Sequence, residues 1–290
     1  MIKCIVCDLD GTLIKTDDTI EEKTLVTLKN YIDKGVEFII ATGRDHNMVI
    51  DFLNQYDLDC DLILNNGTQY CNKQKTFNDI YPMDNHSFQK IATILEERGY
   101  LLSIHTNQGK YSFKDAESFW EQHVQILKSS SAYLNKPLPK KTFTTREGYL
   151  RDFHYASNAK EMINKGIKVL KIDARHFNSH SVKGIKQELN IEHLDISSSY
   201  EDNMEITTNK TNKGYLLEKV IQKKGYLSDE IAVFSDGEND CYMLKQFPYS
   251  FAPNNACQLA KESAQYILSQ TNEEGAVYEG IELLRKLNLL

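Results

Sequence analysis

Two carboxylates near the N-terminus could act together on one substrate. Asp8 and Asp10 belong to the segment DLDGTL (residues 8–13), which directly follows a short apolar run (residues 2–7). In an extended chain, residues i and i+2 face the same way, so both carboxylates should reach one pocket. Gly11 would then allow a sharp turn. Because two close carboxylates repel unless a cation or a shared proton is present, we interpret the pair as a functional site rather than as two solvated acids.

A second segment could bind an anion. Thr42, Gly43 and Arg44 follow the apolar run VEFIIA (residues 36–41) and precede a predicted helix. Ligands of open α/β sheets bind at the carboxyl ends of strands. A hydroxyl, backbone N–H groups and a helix N-terminus together favour an anion at such a place. Many turns between strand and helix carry Thr and Gly, so this segment alone is weak evidence for a site. It indicates an anion site only in combination with DLDGTL.

A lysine in the second half of the chain is a candidate phosphate ligand. Lys213 is predicted in the first turn of a helix, with Asn212 as the N-cap. A cation there opposes the helix dipole, which indicates that the side chain serves something outside the helix. The alternative is a solvated surface lysine, and Lys210 is a less favoured candidate for the same role.

The segment SDGEND (residues 235–240) adds further carboxylates after another predicted strand, EIAVF (residues 230–234). Asp236 could complete an oxygen-rich magnesium site, since Mg²⁺ is bound by one or two carboxylates and keeps several waters. Asp240 would lie in the first turn of a helix, where an acid is favourable in any case. A purely structural role therefore stays open for Asp240.

Both ends of the chain alternate strand and helix patterns. A capping box from Thr19 to Glu22 predicts the start of the first helix, and further helices are predicted over residues 213–224 and 239–247. Strands that alternate with helices in this way form a parallel, right-handed α/β sheet. The candidate residues would thus share one edge of that sheet.

The middle of the chain mixes helices with more polar strands. We interpret residues 83–203 as an inserted second domain of α+β type. The α/β domain would then consist of residues 1–82 and 204–290.

Charge and composition narrow the class of ligand. The 290 residues include 34 Lys and Arg against 41 Asp and Glu, for a net charge of −7. This balance argues against a nucleic-acid binder and requires a local positive site for any phosphorylated ligand. The first apolar run is too short for a signal peptide, and no window suits a membrane span. We expect a cytoplasmic protein.

These segments together resemble a known family. DLDGTL, ATGR, Lys213-Gly214 and SDGEND, in that order, resemble the four motifs of the haloacid dehalogenase superfamily. The long insertion resembles the cap of its Cof-type phosphatases, the Asn65–Gly67 segment their Asn-Gly turn, and residues 271–277 their C-terminal signature. The resemblance implies a Rossmann-like parallel-sheet core with an inserted α+β cap.

The sequence departs from the family pattern at two places. Ser235 stands where the family often has glycine, and residues 252–256 (APNNA) stand where Met-Gly-Asn-Ala is usual. Neither departure removes a catalytic group, but both could alter the floor of the pocket.

The resemblance implies a phosphatase that uses Mg²⁺ and an aspartyl-phosphate. Asp8 would attack phosphorus, and Asp10 would protonate the leaving alcohol and then activate water. The resemblance also implies that Asp8, the backbone carbonyl of Asp10 and Asp236 hold Mg²⁺. Thr42, the Gly43 amide and Lys213 would bind the phosphoryl group, with Arg44 and Asn239 nearby. Asp240 would orient Lys213 or a metal-bound water.

Three hypotheses for the function stay open at this point. The first is a phosphatase of small phosphorylated metabolites, such as sugar phosphates or phosphorylated cofactors. The second is a phosphotransferase or mutase, which would yield an isomer and little free phosphate. The third is a non-catalytic phosphate-sensing module, against which Asp10 argues because a binder needs no general acid. We expect a small-molecule partner rather than nucleic acid or membrane, and a monomer or weak homodimer.

Overall fold

The protein divides into two compact units. The computed structural model describes residues 1–74, 77–129, 144–178, 182, 184–185, 189, 191–198 and 202–290. The first unit combines Met1–Asp79 with Thr211–Leu290, and the second is Ile80–Lys210. The first junction lies slightly before the predicted domain boundary and the second slightly after it.

Strands and helices are interspersed along the described chain. The strands are β1 (Cys4–Cys7), β2 (Glu37–Ala41), β3 (Asp61–Leu64), β4 (Gln69–Cys71), β5 (Phe77–Ile80), β6 (Leu101–Thr106), β7 (Gly109–Ser112), β8 (Phe153–Tyr155), β9 (Val169–Arg175), β10 (Leu194–Ser197), β11 (Asn203–Thr208), β12 (Ile231–Phe234), β13 (Tyr249–Ala252) and β14 (Tyr266–Ile267). The helices are α1 (Glu22–Asp33), α2 (His46–Tyr56), α3 (Asn85–Glu97), α4 (Ala116–Ser129), α5 (Arg146–Tyr149), α6 (Ala159–Asn164), α7 (Lys213–Lys224), α8 (Cys241–Gln246), α9 (Gln258–Ser263) and α10 (Ala276–Lys286). Among the described residues, none of these helices is long and apolar enough to span a membrane.

The first unit is built on an eight-stranded sheet in the order β14-β13-β12-β1-β2-β3-β4-β5. The strands from β14 to β3 pair in parallel, and β4 runs antiparallel to β3. All four residues of β1 are buried, as expected for a parallel strand covered on both faces. The predicted parallel α/β core is therefore confirmed. Because β1 lies between β2 and β12, the segments that follow these three strands meet at one edge of the sheet.

The N-termini of α7 and α1 test two helix caps that the sequence predicts. Lys213 begins α7, and the Asn212 side chain accepts from the Tyr215 N–H at 2.8 Å, which confirms the predicted cap. The capping box at Thr19 is wrong. Glu21 caps α1, while the Thr19 hydroxyl donates to Asp17 within the preceding loop. Thr19 cannot serve the helix because its side chain and backbone already close that loop.

The second unit is α+β. Its six strands are ordered β10-β11-β9-β6-β7-β8, with antiparallel pairing except between β7 and β8. Side chains such as Leu102, Ile104 and Met204 form an apolar core with α3 and α6. Alternate positions of the same strands are charged, and Lys171 of β9 lies 3.5 Å from Glu205 of β11.

Candidate active site

The predicted site residues follow three neighbouring strands of the first sheet. Asp8 follows β1, and its backbone N–H donates to the Phe234 carbonyl of β12 at 2.9 Å. Thr42 follows β2, and its backbone N–H donates to the Ile63 carbonyl of β3 at 2.8 Å. The sheet order thus brings segments far apart in the sequence to one edge, as the α/β prediction requires.

A buried lysine joins two of the carboxylates. The Lys213 ammonium lies 2.7 Å from Oδ1 of Asp8 and 2.8 Å from Oδ1 of Asp240, and the residue is only 1% exposed. Burial alone would lower the pKa of Lys213, but the charges of Asp240 and Asp8 raise it above its usual value. Lys213 is therefore a charged group inside the site and not a solvated surface lysine.

Three carboxylates converge closely enough to share a metal ion. Asp8, Asp236 and Asp240 each offer one oxygen, and these oxygens lie within 4.8 Å of one another. Burial raises the pKa of Asp8, and the charges of Asp240 and Asp236 add to the rise, although Lys213 opposes it. Burial and the charges of Asp240 and Asp10 raise the pKa of Asp236 to about 6, against the opposing hydrogen bond from Thr12. Hard oxygen donors that repel one another fit Mg²⁺, because a divalent cation would offset the repulsion.

Gly11 leaves room for one of these carboxylates. Its φ is +80°, and a Cβ at this position would collide with the Asp236 side chain, whose Cγ would lie only 2.9 Å away. The Thr12 hydroxyl donates to Oδ1 of Asp236 at 2.7 Å. The Gly11-Thr12 step of the first motif thus accommodates and orients an acid of the last one.

Asp10 faces a different partner from the other acids. Its carboxylate accepts two hydrogen bonds from Arg44, at 2.8 Å from Nε and 2.6 Å from Nη2. Nη2 also donates to Oδ1 of Asp18 at 3.0 Å. The side chain of Arg44 is 9% exposed, whereas that of Asp10 is 51% exposed. Arg44, predicted to lie near the phosphoryl group, thus contacts the predicted general acid, and Asp18 is a site residue that sequence reasoning missed.

Thr42 and Gly43 lie beside the turn at Asn65–Gly67, which sequence reasoning predicted as a turn but not as part of the site. The Thr42 hydroxyl accepts from the Arg44 N–H at 3.1 Å, and the Thr42 carbonyl accepts from the Asn66 N–H at 3.2 Å. Asn66 also accepts from the side-chain amide of Asn239 at 3.2 Å. Asn66 therefore links the second motif to the fourth, and its position directly after β3 is the signal that could have identified it.

The same turn supports the helix that carries Lys213. Gly67 has a φ of +89°, and a Cβ there would collide with the backbone of Asn212. The Thr211 hydroxyl donates to the Gly67 carbonyl at 2.8 Å. This close approach fixes the N-terminus of α7 against the end of β3.

The two departures from the family pattern lie under the site. Ser235 is fully buried, and its hydroxyl has no hydrogen-bond partner among the described residues. Within the segment 252–256, the Asn255 side chain donates to the Gly11 carbonyl at 2.7 Å. The next residue, Cys257, donates from its N–H to the Asp236 carbonyl at 3.0 Å. The changed segment therefore still supports the two loops that carry acids.

The fold and the site agree with one family. The profile of haloacid dehalogenase-like hydrolases matches residues 5–281. The chain belongs to the haloacid dehalogenase-like hydrolase family, which confirms the resemblance to its Cof-type members.

Individual relatives are similar over nearly the whole chain. A 5-amino-6-(5-phospho-D-ribitylamino)uracil phosphatase of Bacillus subtilis is 26% identical over 288 residues, which cover 96% of each chain. A pyridoxal phosphate phosphatase of Escherichia coli is 24% identical over 277 residues, 94% of this chain and 95% of its own. A solved haloacid dehalogenase-like hydrolase from B. subtilis has the same fold, with a TM-score of 0.80, 22% identity and coverage of 98% and 100%. The protein is an enzyme of the phosphatase class.

Proposed function

We propose that this phosphatase is Mg²⁺-dependent and hydrolyses small phosphorylated metabolites, either sugar phosphates or phosphorylated cofactors, through an aspartyl-phosphate on Asp8. The observation that carries the proposal is the buried ion pair of Asp8 with Lys213, beside the carboxylates of Asp236 and Asp240. Such an arrangement holds a nucleophile in place and supplies positive charge for a phosphoryl group.

In the first step, a carboxylate oxygen of Asp8 attacks phosphorus, and the bond from phosphorus to the leaving oxygen breaks. Asp10, two residues along the chain, gives its proton to that oxygen, so the product leaves as a neutral alcohol. The ammonium of Lys213, 2.7 Å from Asp8, lies where negative charge on the phosphoryl oxygens must be balanced. We assign the Thr42 hydroxyl and the Gly43 amide to the same phosphoryl group.

In the second step, water attacks phosphorus, Asp10 takes the proton of that water, and the bond to Asp8 breaks to release inorganic phosphate. Asp8 and Asp10 return to their starting states, so the cycle balances. Asp240, 2.8 Å from Lys213, keeps the ammonium in place throughout.

Mg²⁺ would be held by the carboxylates of Asp8 and Asp236 and by the backbone carbonyl of Asp10. When bound, it would neutralise charge on the transferring phosphoryl group. The convergence of these two carboxylates, whose pKa values are raised, supports this assignment. The carboxylate of Asp10 binds Arg44 instead of joining the converging carboxylates, and we assign it to proton transfer.

The substrate class is supported by the relatives. Their names specify a phosphorylated ribitylaminouracil in one case and pyridoxal phosphate in the other. Both are small phosphorylated metabolites, in keeping with the predicted small-molecule partner. The predicted cytoplasmic location and the monomeric or weakly dimeric state stay predictions.

The test is phosphate release from a panel of phosphorylated metabolites and p-nitrophenyl phosphate, with Mg²⁺ and with a chelator. We expect release that requires Mg²⁺ and that Asp8→Asn lowers by at least about a thousandfold, because the nucleophile is lost. The best substrate would identify the metabolite class. Conversion of a sugar phosphate to its isomer with little free phosphate would contradict hydrolysis and indicate a mutase.

A further inference from the structure

The guanidinium of Arg44 binds two carboxylates. Nε and Nη2 bind Asp10 as a fork, and Nη2 also contacts Asp18 at 3.0 Å. A nearly buried guanidinium requires anionic partners, since burial alone would disfavour its charge. Asp18 is thus the second partner that fixes where the fork lies.

Asp18 is built into its loop. Its φ is +63°, in the left-handed region that few residues other than glycine adopt. Its N–H donates to the Lys15 carbonyl at 3.0 Å, and the Lys15 N–H donates to the Thr19 carbonyl at 2.8 Å. This closed loop directs the carboxylate of Asp18 towards Arg44.

The fork in turn limits the freedom of Asp10. A half-exposed carboxylate can adopt several rotamers, whereas a bidentate contact with arginine fixes both its position and its plane. We propose that Asp18 is a positioning residue for the general acid: it anchors Arg44, and Arg44 holds Asp10 where it meets the leaving oxygen. This inference rests on the proposed function, in which Asp10 transfers the proton.

Dependence on the leaving group distinguishes positioning from a general structural effect. An alkyl alcohol is a poor leaving group and needs the proton from Asp10, whereas p-nitrophenolate departs without one. Displacement of Asp10 should therefore lower kcat/KM for an alkyl phosphate and spare kcat/KM for p-nitrophenyl phosphate. The ratio kcat/KM reports the steps up to departure of the leaving group, and not the later attack of water, which uses Asp10 with both substrates.

The experiment compares wild type, Asp10→Asn, Asp18→Asn and Asp17→Asn. For each chain, kcat/KM is measured with p-nitrophenyl phosphate and with the alkyl phosphate of the metabolite panel that wild type hydrolyses fastest. Asparagine tolerates a positive φ, so Asp18→Asn keeps the loop. Asp17→Asn removes the same charge from the same loop, where Asp17 binds Thr19 and lies outside the catalytic machinery.

We expect Asp18→Asn to lower kcat/KM for the alkyl phosphate about tenfold, a part of the full general-acid contribution of about 100-fold or more. Its kcat/KM for p-nitrophenyl phosphate should stay near the wild-type value. Asp10→Asn should show the same selectivity with a larger loss, and Asp17→Asn should match wild type. Asp18→Gly, which also suits the positive φ, repeats the test if Asp18→Asn folds poorly.

Three results would overturn the inference. Equal loss of kcat/KM on both substrates would show that Asp18 has only a structural role. A selective loss in Asp10→Asn with wild-type behaviour in Asp18→Asn would refute the positioning role and leave the proposed function intact. If Asp10→Asn shows no selectivity, Asp10 is not the general acid, and the assignment of Asp10 in the proposed function fails as well.

Discussion

Lys213 is a buried cation whose charge is matched by two buried carboxylates. Its ammonium contacts Asp8 and Asp240, and its pKa is raised by their charges. Removal of one partner from a buried ion pair leaves the others without compensation, which costs far more than loss of a surface pair. The residue therefore contributes to folding as well as to the site.

We predict that Lys213→Met lowers the free energy of unfolding by about 3–5 kcal/mol in the presence of chelator. The measurement is urea unfolding at pH 7. Lys223→Met, in the same helix, removes an exposed pair with Asp79 and should cost no more than about 1 kcal/mol. Equal losses in the two variants would contradict the buried ion-pair interpretation.

Sequence reasoning identified the acids and the lysine because their residue types and their places after strands reveal their chemistry. Asp18 and Asn66 escaped it. The partner of Asp18 is Arg44, 26 positions away, and that of Asn66 is Asn239, 173 positions away. Such contacts arise from the way loops close in space, for which a single sequence carries no local pattern.

At the scale of elements, the turn after β1 determines whether the first and last motifs can meet. Gly11 combines a positive φ with close approach to Asp236. Gly35, after α1, has a φ of +94° but no atom within 4 Å of an added Cβ. Alanine at Gly35 would therefore introduce backbone strain alone, whereas alanine at Gly11 would add a collision with Asp236.

We predict that Gly35→Ala costs about 1–2 kcal/mol of stability, through its backbone alone, and leaves activity unchanged. Gly11→Ala should cost more and should also weaken Mg²⁺ binding, because the new methyl group displaces Asp236. Urea unfolding and calorimetric Mg²⁺ titration measure the two effects. Unchanged Mg²⁺ affinity in Gly11→Ala would show that the turn does not set the position of Asp236.

The start of a helix could be predicted from the local sequence only where a single residue is free to cap it. Asn212 caps α7 as predicted, but Glu21 replaces Thr19 at α1 because the preceding loop uses Thr19. The helix predicted over residues 239–247 is a 3₁₀ turn at Glu238–Asp240 followed by α8. There the Asp240 carboxylate accepts from the Gly237 N–H at 3.2 Å, which tightens the start of the segment.

At the scale of the whole molecule, the carboxylates of Asp8, Asp236 and Asp240 repel one another. Because bound Mg²⁺ would offset this repulsion, we expect the stability of the fold to depend on Mg²⁺. A ligand that binds only the folded protein stabilises it by about 2.7 kcal/mol at 100 times its dissociation constant. We therefore predict that Mg²⁺ raises the Tm of wild type by several degrees over KCl of equal ionic strength. Asp236→Asn should abolish most of this shift in differential scanning calorimetry. If Mg²⁺ raised the Tm of Asp236→Asn as much as that of wild type, Asp236 would not be a ligand of the metal.

The first unit is assembled from two separate stretches of chain, and this has a consequence for synthesis on the ribosome. Asp8 and Lys213 are 205 residues apart, so about 10–40 s of translation separates them at ordinary elongation rates. During that interval β1 has no β12 to pair with, and one edge of an apolar strand stays open to other chains. Until the last strands emerge, the nascent protein therefore exposes an unpaired strand edge, the kind of surface through which chains aggregate.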